Sequence, residues 1–319
     1  MRNILDFEKN ISDLQKKITK LKESGSDKSS LIEVNEQIEQ IKLKIDKKLS
    51  EIYKKLTPWH KLQVARHSNR PHFLDYIKIL IPDFEPLSGD RLFREDPAII
   101  CGVGTFKNKS VMIIGNEKGN DTESRIKHNF GMAKPEGYRK ALRIMKLAEK
   151  FSLPLITLID TPGAYPGVGA EQRGQSEAIA KCIEVSLSLG IPTLSVIIGE
   201  GGSGGAIAIG TTNKILMLEH AIYSVISPEG CASILWKNAK HAEEAATAMK
   251  ITAQDLQKLK IIDEIIPEPI GGAHRNASQI IKNVGEAIKK SLNEIIDLDS
   301  QNLIDLRRRK YLMIANQSL

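Results

Sequence analysis

The sequence predicts an α/β protein with a mostly parallel sheet and helical segments at both ends of the chain. In the middle of the chain, apolar segments of strand length alternate with helical segments, and the strands are apolar almost throughout. Such strands are typical of a parallel sheet covered by helices on both faces. Residues 1–56 instead repeat apolar side chains at spacings of three and four, which favours paired helices. Three parts are therefore predicted, over 1–56, 57–270 and 271–319.

Composition limits the class of protein. The chain has 319 residues, of which 41% are hydrophobic and 27% charged, enough for a large core with an appendage. The net charge of +7 fits anionic substrates or an acidic partner but is too diffuse to indicate nucleic acid. The basic run Arg307–Lys310 lies in a helical pattern and is expected to be a solvated face.

Targeting and cysteine patterns favour a cytoplasmic protein. The first residues lack the apolar segment of a signal peptide, and no apolar run is long enough to span a membrane. The three cysteines, Cys101, Cys182 and Cys231, lack CxxC spacing, so neither a disulfide framework nor a zinc site in this chain is expected. A reducing compartment follows from that pattern.

The amino-terminal segment is predicted to form two helices joined by a polar loop at 23–30. Its apolar side chains are Ile4, Phe7, Ile11, Leu14, Ile18 and Leu21, then Leu31, Val34, Ile38, Ile41, Ile45, Leu49, Ile52 and Leu56. Their spacing predicts an antiparallel hairpin or a coiled coil that binds a partner. Because the segment carries no catalytic pattern, a role in assembly is predicted.

Helices with identifiable starts follow this segment. Thr57-Pro58 is a cap with proline in the first turn, and a second helix is expected from near Pro71 to before Pro82. The nearby histidines do not have the spacing of a metal motif, so they are expected to be surface or capping residues. They are His60, His67 and His72.

The α/β region then alternates between strands and helices. A hairpin is predicted around Lys107–Lys109. The predicted strands are 98–106, 110–115, 155–159, 193–198, 214–218, 221–225 and 261–266. The predicted helices begin at Pro135, after the loop 160–169, after the glycine turn, and at Pro228, Ala242 and Ala253, before two terminal helices.

Two glycine-rich loops, 161–169 and 199–205, each follow a buried strand. Loops after parallel strands emerge at the same sheet edge, where ligands usually bind. The second loop also starts a helix, whose first N–H groups lack intrahelical partners and suit a phosphate or an oxyanion. The plainer interpretation is a turn that lets a helix pack tightly on the sheet. A P-loop is excluded because no GK[ST] follows.

One competing motif overlaps the second loop. Residues 201–205 match GxSxG, the nucleophile elbow of serine hydrolases. Ser203 would be the nucleophile, although it could equally cap the helix. A base and its orienting acid would come from His220, His241 or His274 with Glu219 or Asp263. The motif is short and easily matched in glycine-rich sequence.

Long segments of the chain resemble one family, the α subunits of bacterial-type acetyl-coenzyme A carboxylase carboxyltransferases. The similarity extends from about residue 57 to 276. The segments are ARHSNRPHFLDYI at 65–77, NFGMAKPEGYRKALR at 129–143, TPGAYPGVGAEQRGQSEAIA at 161–180, VIIGEGGSGGAIAIG at 196–210, YSVISPEGCASILW at 223–236 and IIPEPIGGAHRN at 265–276.

The resemblance implies a crotonase-like spiral of ββα units that works with a homologous β subunit in an α2β2 assembly. It implies that a carrier protein, charged by biotin carboxylase, delivers carboxybiotin, and that acetyl-coenzyme A on the β subunit becomes malonyl-coenzyme A. No cofactor would be covalently bound to this chain, and zinc is expected on the β subunit only.

The resemblance also implies site residues. Gly204 and Gly205 match the backbone oxyanion hole for the biotin ureido oxygen. The residues expected around the bound substrate are Gly163, Ala164, Tyr165, Pro166, Gly167, Gly169, Gln172, Arg173, Gly201, Gly202, Ser203 and Ala206. Arg173 would steer a carboxylate or form a salt bridge with the partner.

Two further functions remain open on the sequence. A crotonase-type hydratase would use the same fold and would need a glutamate acid/base near the loops. A non-catalytic scaffold is compatible with the amino-terminal helices, but the two glycine loops argue against it.

Overall fold

A computed structural model of the chain describes residues 5–24 and 30–316. Most of the helices lie where the sequence predicts them. In chain order, the α-helices are α1 (Lys9–Ser24), α2 (Ser30–Tyr53), α3 (Pro58–Ala65), α4 (Phe73–Leu80), α5 (Thr122–Lys127), α6 (Pro135–Lys150), α7 (Val168–Gln172), α8 (Gln175–Ser188), α9 (Ser203–Gly210), α10 (Pro228–Leu235), α11 (Ala242–Ala248), α12 (Ala253–Lys258), α13 (Ala277–Asn293) and α14 (Ser300–Asn316).

The strands form one twisted, mostly parallel sheet. They are β1 (Glu85–Pro86), β2 (Ile99–Phe106), β3 (Lys109–Asn116), β4 (Leu155–Thr161), β5 (Thr193–Gly202), β6 (Lys214–Leu218), β7 (Ile222–Ser224) and β8 (Glu264–Ile266). Their order is β1-β2-β3-β4-β5-β6-β8, and β7 pairs with the end of β5. β1, β2 and β3 pair antiparallel, whereas the pairs from β3 onward are parallel. The predicted sheet is confirmed.

The predicted hairpin is formed by β2 and β3. Their register places Ile99 opposite Asn116 and Phe106 opposite Lys109. Lys107 and Asn108 form the two-residue turn, with φ of 48° and 66°. Positive φ at both central residues is the geometry that matches the twist of the two strands.

The amino-terminal helices pack against each other as a hairpin. Their apolar ladder forms one cluster around Ile11, Ile45 and Leu49, and this cluster extends to Val64 on α3. The Phe7 ring, in the turn just before α1, lies 6.1 Å from the ring of Tyr53 at the end of α2, as in an antiparallel pair. Ile4, the side chain of Leu31 and residues 25–29 of the predicted loop lie outside the described residues.

The carboxyl-terminal helices pack on the sheet region, and the expectation that the basic run 307–310 is a solvated face is only partly correct. Arg308 and Arg309 are exposed. Arg307 in α14 is fully buried and does not belong to a solvated face. Burial lowers the pKa of its guanidinium to about 10, so it remains charged near neutral pH. It donates to the carbonyl oxygens of Ser186, Leu189 and Ile191 and to Oδ1 of Asn213.

Several boundaries differ from the prediction. β5 was expected to end at Ile198, but it continues through Gly202 because its last residues pair with β7. The predicted strand over 261–266 is shorter, since β8 contains only its last three residues. Within the first glycine loop, α7 begins at Val168. Neither β1 nor α5 was predicted.

The core lies on both faces of the sheet. β4 and β5 are buried at every position, as expected for strands covered by helices on both sides. Across the described ranges, no helix combines the length and the apolarity that crossing a membrane requires.

Candidate active site

The two glycine loops meet at the carboxyl edge of β4 and β5. Thr161 pairs with Gly201, so the two loops leave the sheet side by side. A Cβ on Gly205 would lie 2.8 Å from backbone atoms of Gly163 and Ala164, and a Cβ on Gly202 would overlap the backbone of Pro162. The close approach of the two loops therefore excludes side chains at both glycines.

The start of α9 presents free backbone donors beside the first loop. Gly202 is its N-cap residue, and no side chain caps this helix end in the described part of the chain. The helical geometry leaves the N–H groups of Ser203, Gly204 and Gly205 without intrahelical acceptors. Gly204 is half-buried and Gly205 is buried. These donors and the helix dipole can stabilise negative charge placed at this end.

Ser203 is the first residue of the helix and not its cap, contrary to one expectation. Its φ of 51° is left-handed, which is costly for a residue with a side chain. The proposed histidine bases have contacts elsewhere. His220 packs on Tyr53, His241 pairs with Glu244, and His274 stacks on His67. These contacts do not form a triad with Ser203.

The first loop is fixed by hydrogen bonds to its backbone. The N–H of Tyr165 donates to the carbonyl of Ala133 at 2.9 Å, and Nε2 of Gln175 donates to the carbonyl of Tyr165 at 2.9 Å. Oγ1 of Thr161 contacts both the N–H and the carbonyl of Gly163. The Tyr165 ring occupies the space where Gly167 would carry a side chain, while Pro166 is exposed.

Arg173 is engaged within the chain. Its guanidinium pairs with Glu136 at 3.0 Å and lies 5.0 Å from the centre of the Phe93 ring. Burial alone would raise the pKa of Glu136, but hydrogen bonds from Arg173 and Arg94 hold it below the usual value. Gln172 is exposed. The structure thus places both residues at the end of α7, with Arg173 already paired.

Sequence reasoning missed a group of buried charges at the same sheet edge. Nζ of Lys118 lies 2.7 Å from Oδ1 of Asp160 and 2.8 Å from Oε2 of Glu200. Glu200 also accepts from Nε of Arg66 at 2.7 Å, and Asp160 faces Nδ1 of His72 at 3.2 Å. One signal was available: Asp160 stands directly before the first glycine loop, and Glu200 stands directly before the four clustered glycines of the second.

These charges determine the protonation of the carboxylates. Burial would raise the pKa of Asp160 and of Glu200, but Lys118 outweighs it and holds both below their usual values. Glu200 is therefore ionised and cannot donate a proton as a hydratase acid would. A cavity of about 220 Å³ adjoins the group and is lined by Arg66, His72, Lys118, Phe130, Pro162 and Glu200, among others.

The histidine prediction needs correction. His67 and His72 are buried and not on the surface. His72 does occupy the N-cap position of α4, and its ring faces Asp160. Among the residues that the structure describes, no group of three or more histidine, cysteine or acidic side chains is placed to hold a metal ion.

Solved structures with the same fold include a decarboxylase, a carboxylase β subunit and a transcarboxylase. A Pseudomonas malonate decarboxylase hetero-tetramer in complex with coenzyme A matches with a TM-score of 0.60 at 13% identity, over 76% of this chain and 98% of that one. The β subunit of P. aeruginosa geranyl-CoA carboxylase gives 0.55 at 16%, over 79% and 46%. Transcarboxylase 12S gives 0.54 at 17%, over 68% and 40%. This chain spans less than half of the latter two.

The fold, with a helix that starts within the second glycine loop and beside the first, is the crotonase-like fold of the carboxyltransferases. The family model described as acetyl co-enzyme A carboxylase carboxyltransferase-like matches residues 4–315. Relatives named acetyl-coenzyme A carboxylase carboxyl transferase subunit alpha are 56% identical over 99% of both chains in Paramagnetospirillum magneticum and in Agrobacterium fabrum. The chain belongs to this family of carboxyltransferase α subunits.

Proposed function

We propose that this chain is the α subunit of a carboxyltransferase that converts acetyl-coenzyme A into malonyl-coenzyme A, the first committed step of fatty-acid synthesis. A biotin carrier protein would deliver the carboxyl group as carboxybiotin. The names of relatives that match nearly the whole chain support this activity. The protein would act in the cytoplasm, in an α2β2 assembly whose β subunit carries the acyl-coenzyme A site and the zinc.

The observation that carries the proposal is the packing of the first turn of α9 against the first glycine loop. Gly205 has no room for a side chain because the backbone of Gly163 and Ala164 lies there, so the helix start is held directly beside the first loop. The uncapped N–H groups of Gly204 and Gly205 would act as the oxyanion hole. This arrangement fits a neutral ring whose carbonyl oxygen becomes negative during the reaction.

When bound, carboxybiotin supplies the carboxyl group, and negative charge develops on its ureido oxygen as the N–C bond breaks. The N–H groups of Gly204 and Gly205 would donate to that oxygen, each contributing on the order of 3 kcal/mol. Such donors are already oriented by the helix and need not reorganise. Residues 163–169 would form the opposite wall and exclude water. The biotin nitrogen that loses the carboxyl group would take up the proton lost by the acetyl carbon. This chain would therefore need no side-chain base.

The test is activity with and without a zinc-ribbon β subunit. The purified chain alone should show no measurable carboxyl transfer between malonyl-coenzyme A and biotin, because its sequence has one pair of glycine loops and the acyl-coenzyme A site is proposed to lie on the β subunit. Adding the β subunit should produce transfer. Full activity of the isolated chain would contradict the two-subunit site, and an inactive assembled complex would contradict the proposed reaction.

A further inference from the structure

Two buried carboxylates and a largely buried lysine lie at the sheet edge that carries the glycine loops, and they have no role in the chemistry proposed above. We call Lys118, Asp160 and Glu200 the edge ion cluster. Lys118 follows β3, Asp160 lies near the end of β4, and Glu200 lies near the end of β5. Their side chains are 15%, 2% and 7% exposed. The cluster therefore joins three neighbouring strands at the edge from which both loops leave.

The main-chain ladder between β4 and β5 is irregular at the cluster. Ile159 stands opposite Ile197, whereas Thr161 stands opposite Gly201. One residue of β4 thus faces three residues of β5, and regular strand pairing cannot continue through this interval. On one side the last residues of β5 pair with β7, but on the β4 side they need another support, because they direct the chain into α9.

Side chains replace the missing main-chain partners in this interval. Oδ1 of Asp160 accepts the N–H of Glu200 at 2.9 Å. The carbonyl of Ile198 accepts from Nε of Arg70 at 2.7 Å. Between them, Gly199 has no space for a Cβ because the Asp160 carboxylate occupies it. The path of β5 just before Gly201 therefore depends on the position of the Asp160 carboxylate.

Lys118 holds that carboxylate close to Glu200. Both carboxylates are buried at one sheet edge, where like charges repel strongly because the local dielectric is low. The ammonium group of Lys118 contacts one oxygen of each. A buried charge left without its partner is strongly destabilising. Without Lys118, Glu200 would keep only Arg66 and Asp160 only His72 as side-chain partners among the described residues. The two carboxylates would then lose the cation that they share, and they would move apart or take up a proton.

We propose that Lys118 is a positioning residue for carboxyl transfer. By bridging Asp160 and Glu200, it fixes the last residues of β5 and hence the direction of the Gly204 and Gly205 N–H groups. This inference rests on the proposed function, in which those two groups stabilise the transition state. Lys118 itself does not touch the reacting atoms.

The inference predicts a specific kinetic change. Lys118→Met keeps most of the side-chain volume and removes the charge. In the complex with the β subunit, kcat should fall about 10- to 100-fold, since misplacement of about 1 Å can cost that much. The KM for acetyl-coenzyme A should stay within about twofold, because an interaction made only in the transition state lowers kcat alone.

Two further measurements separate positioning from a general loss of stability. In Lys118→Met, amide hydrogen exchange of peptides spanning 196–210 should become roughly tenfold faster, while exchange of α13 stays unchanged. In Lys118→Ala, added ethylammonium should restore part of the lost kcat, because it can enter the adjoining cavity and replace the missing cation. Lys127→Ala, which removes an exposed lysine on α5, is the matched control and should behave like the unaltered chain.

The outcomes distinguish the two proposals. An inactive unaltered complex contradicts the proposed function. If the unaltered complex is active and the Lys118→Met complex has a normal kcat, the positioning role is overturned. A lower kcat with unchanged exchange over 196–210 overturns it as well, and so does a raised KM alone. If Lys118→Met does not assemble, Lys118→Arg must retain a bridging cation and most of the kcat for the inference to stand.

Discussion

Gly205 is the residue at which a single substitution should damage the proposed reaction most. A valine there would place a β-branched side chain against Gly163 and Ala164, where a Cβ already lies 2.8 Å from backbone atoms. The two loops would separate and the Gly205 N–H would turn away. We expect Gly205→Val to lower kcat by about 100- to 1,000-fold, the loss found when one oxyanion donor is removed elsewhere.

Ser203→Ala is the matched comparison. The Ser203 hydroxyl caps no helix end, so its removal should cause only a modest loss of kcat and no labelling by a serine-directed phosphonate. A thermal melt and a subunit-binding assay must show that Gly205→Val is folded and assembled. A dead Ser203→Ala beside a normal, folded Gly205→Val would overturn the oxyanion mechanism and favour a hydrolase.

Sequence reasoning at the residue scale found the backbone part of the candidate site and missed its charges. The glycines were visible because four of them stand in five positions. The role of Asp160 and Glu200 was not recognisable, because an isolated acidic residue in a sequence does not show which residue it pairs with. Lys118 lies 42 and 82 residues away from them in the chain, and only the sheet brings the three together.

At the element scale, the helical hairpin of α1 and α2 is predicted to serve assembly. Removing residues 1–56 should weaken association with the β subunit, while the rate per assembled site stays largely intact. Association can be measured by sedimentation and turnover by carboxyl transfer. A truncated complex that assembles normally but loses turnover would contradict this role.

A single substitution tests the same role in assembly without removing the hairpin. Leu43 on α2 is 69% exposed, so Leu43→Glu should leave the hairpin core intact and weaken only a contact made by its outer face. Lys44→Glu, at the neighbouring exposed position, is the control for added negative charge. This pair matters because deletion also uncovers Val64, which packs on the hairpin.

The elements that the sequence predicted well are those in which apolar side chains repeat at regular spacing. The heptad ladder, the β2–β3 hairpin and the buried strands were all recognisable from local pattern. The extension of β5 to Gly202 was not, because glycines favour a loop and only pairing with the distant β7 makes them strand. β1 and α5 are short, with two and six residues, too few to show a period.

At the scale of the whole molecule, His274 should make stability fall at mildly acidic pH. Burial, reinforced by His67 and two nearby arginines, lowers the pKa of His274 to about 3. The unfolded chain binds a proton there below about pH 6.5, while the folded chain does not until near pH 3. Stability is therefore lost progressively as the pH falls from 6.5, by about 2 kcal/mol at pH 5.

The test compares melting temperatures at pH 7 and pH 5. His274→Phe retains a ring that can stack on His67 but cannot take up a proton, so its melting temperature should fall less than that of the unaltered chain. Glu268 does not contribute to the change in stability between pH 7 and pH 5. Burial would raise its pKa, but Arg70 lowers it to about 2, so its contribution is lost only below about pH 4.5. Equal pH dependence in both proteins would contradict the prediction.

The buried guanidinium of Arg307 has a consequence for how the chain folds during its synthesis. The four oxygen acceptors that it satisfies lie at the end of α8, before β5 and before β6, and even Asn213 is 94 residues earlier than their common donor. Oδ1 of Asn213 also accepts from Thr193. Until the ribosome has passed α14, the three carbonyl oxygens lack the Arg307 donor and must stay hydrated or remain unpaired in the interior, at a cost of about 1–3 kcal/mol each. The sheet therefore cannot complete its packing one element at a time during translation, and a nascent chain that stalls before residue 307 would be an open target for proteases and chaperones.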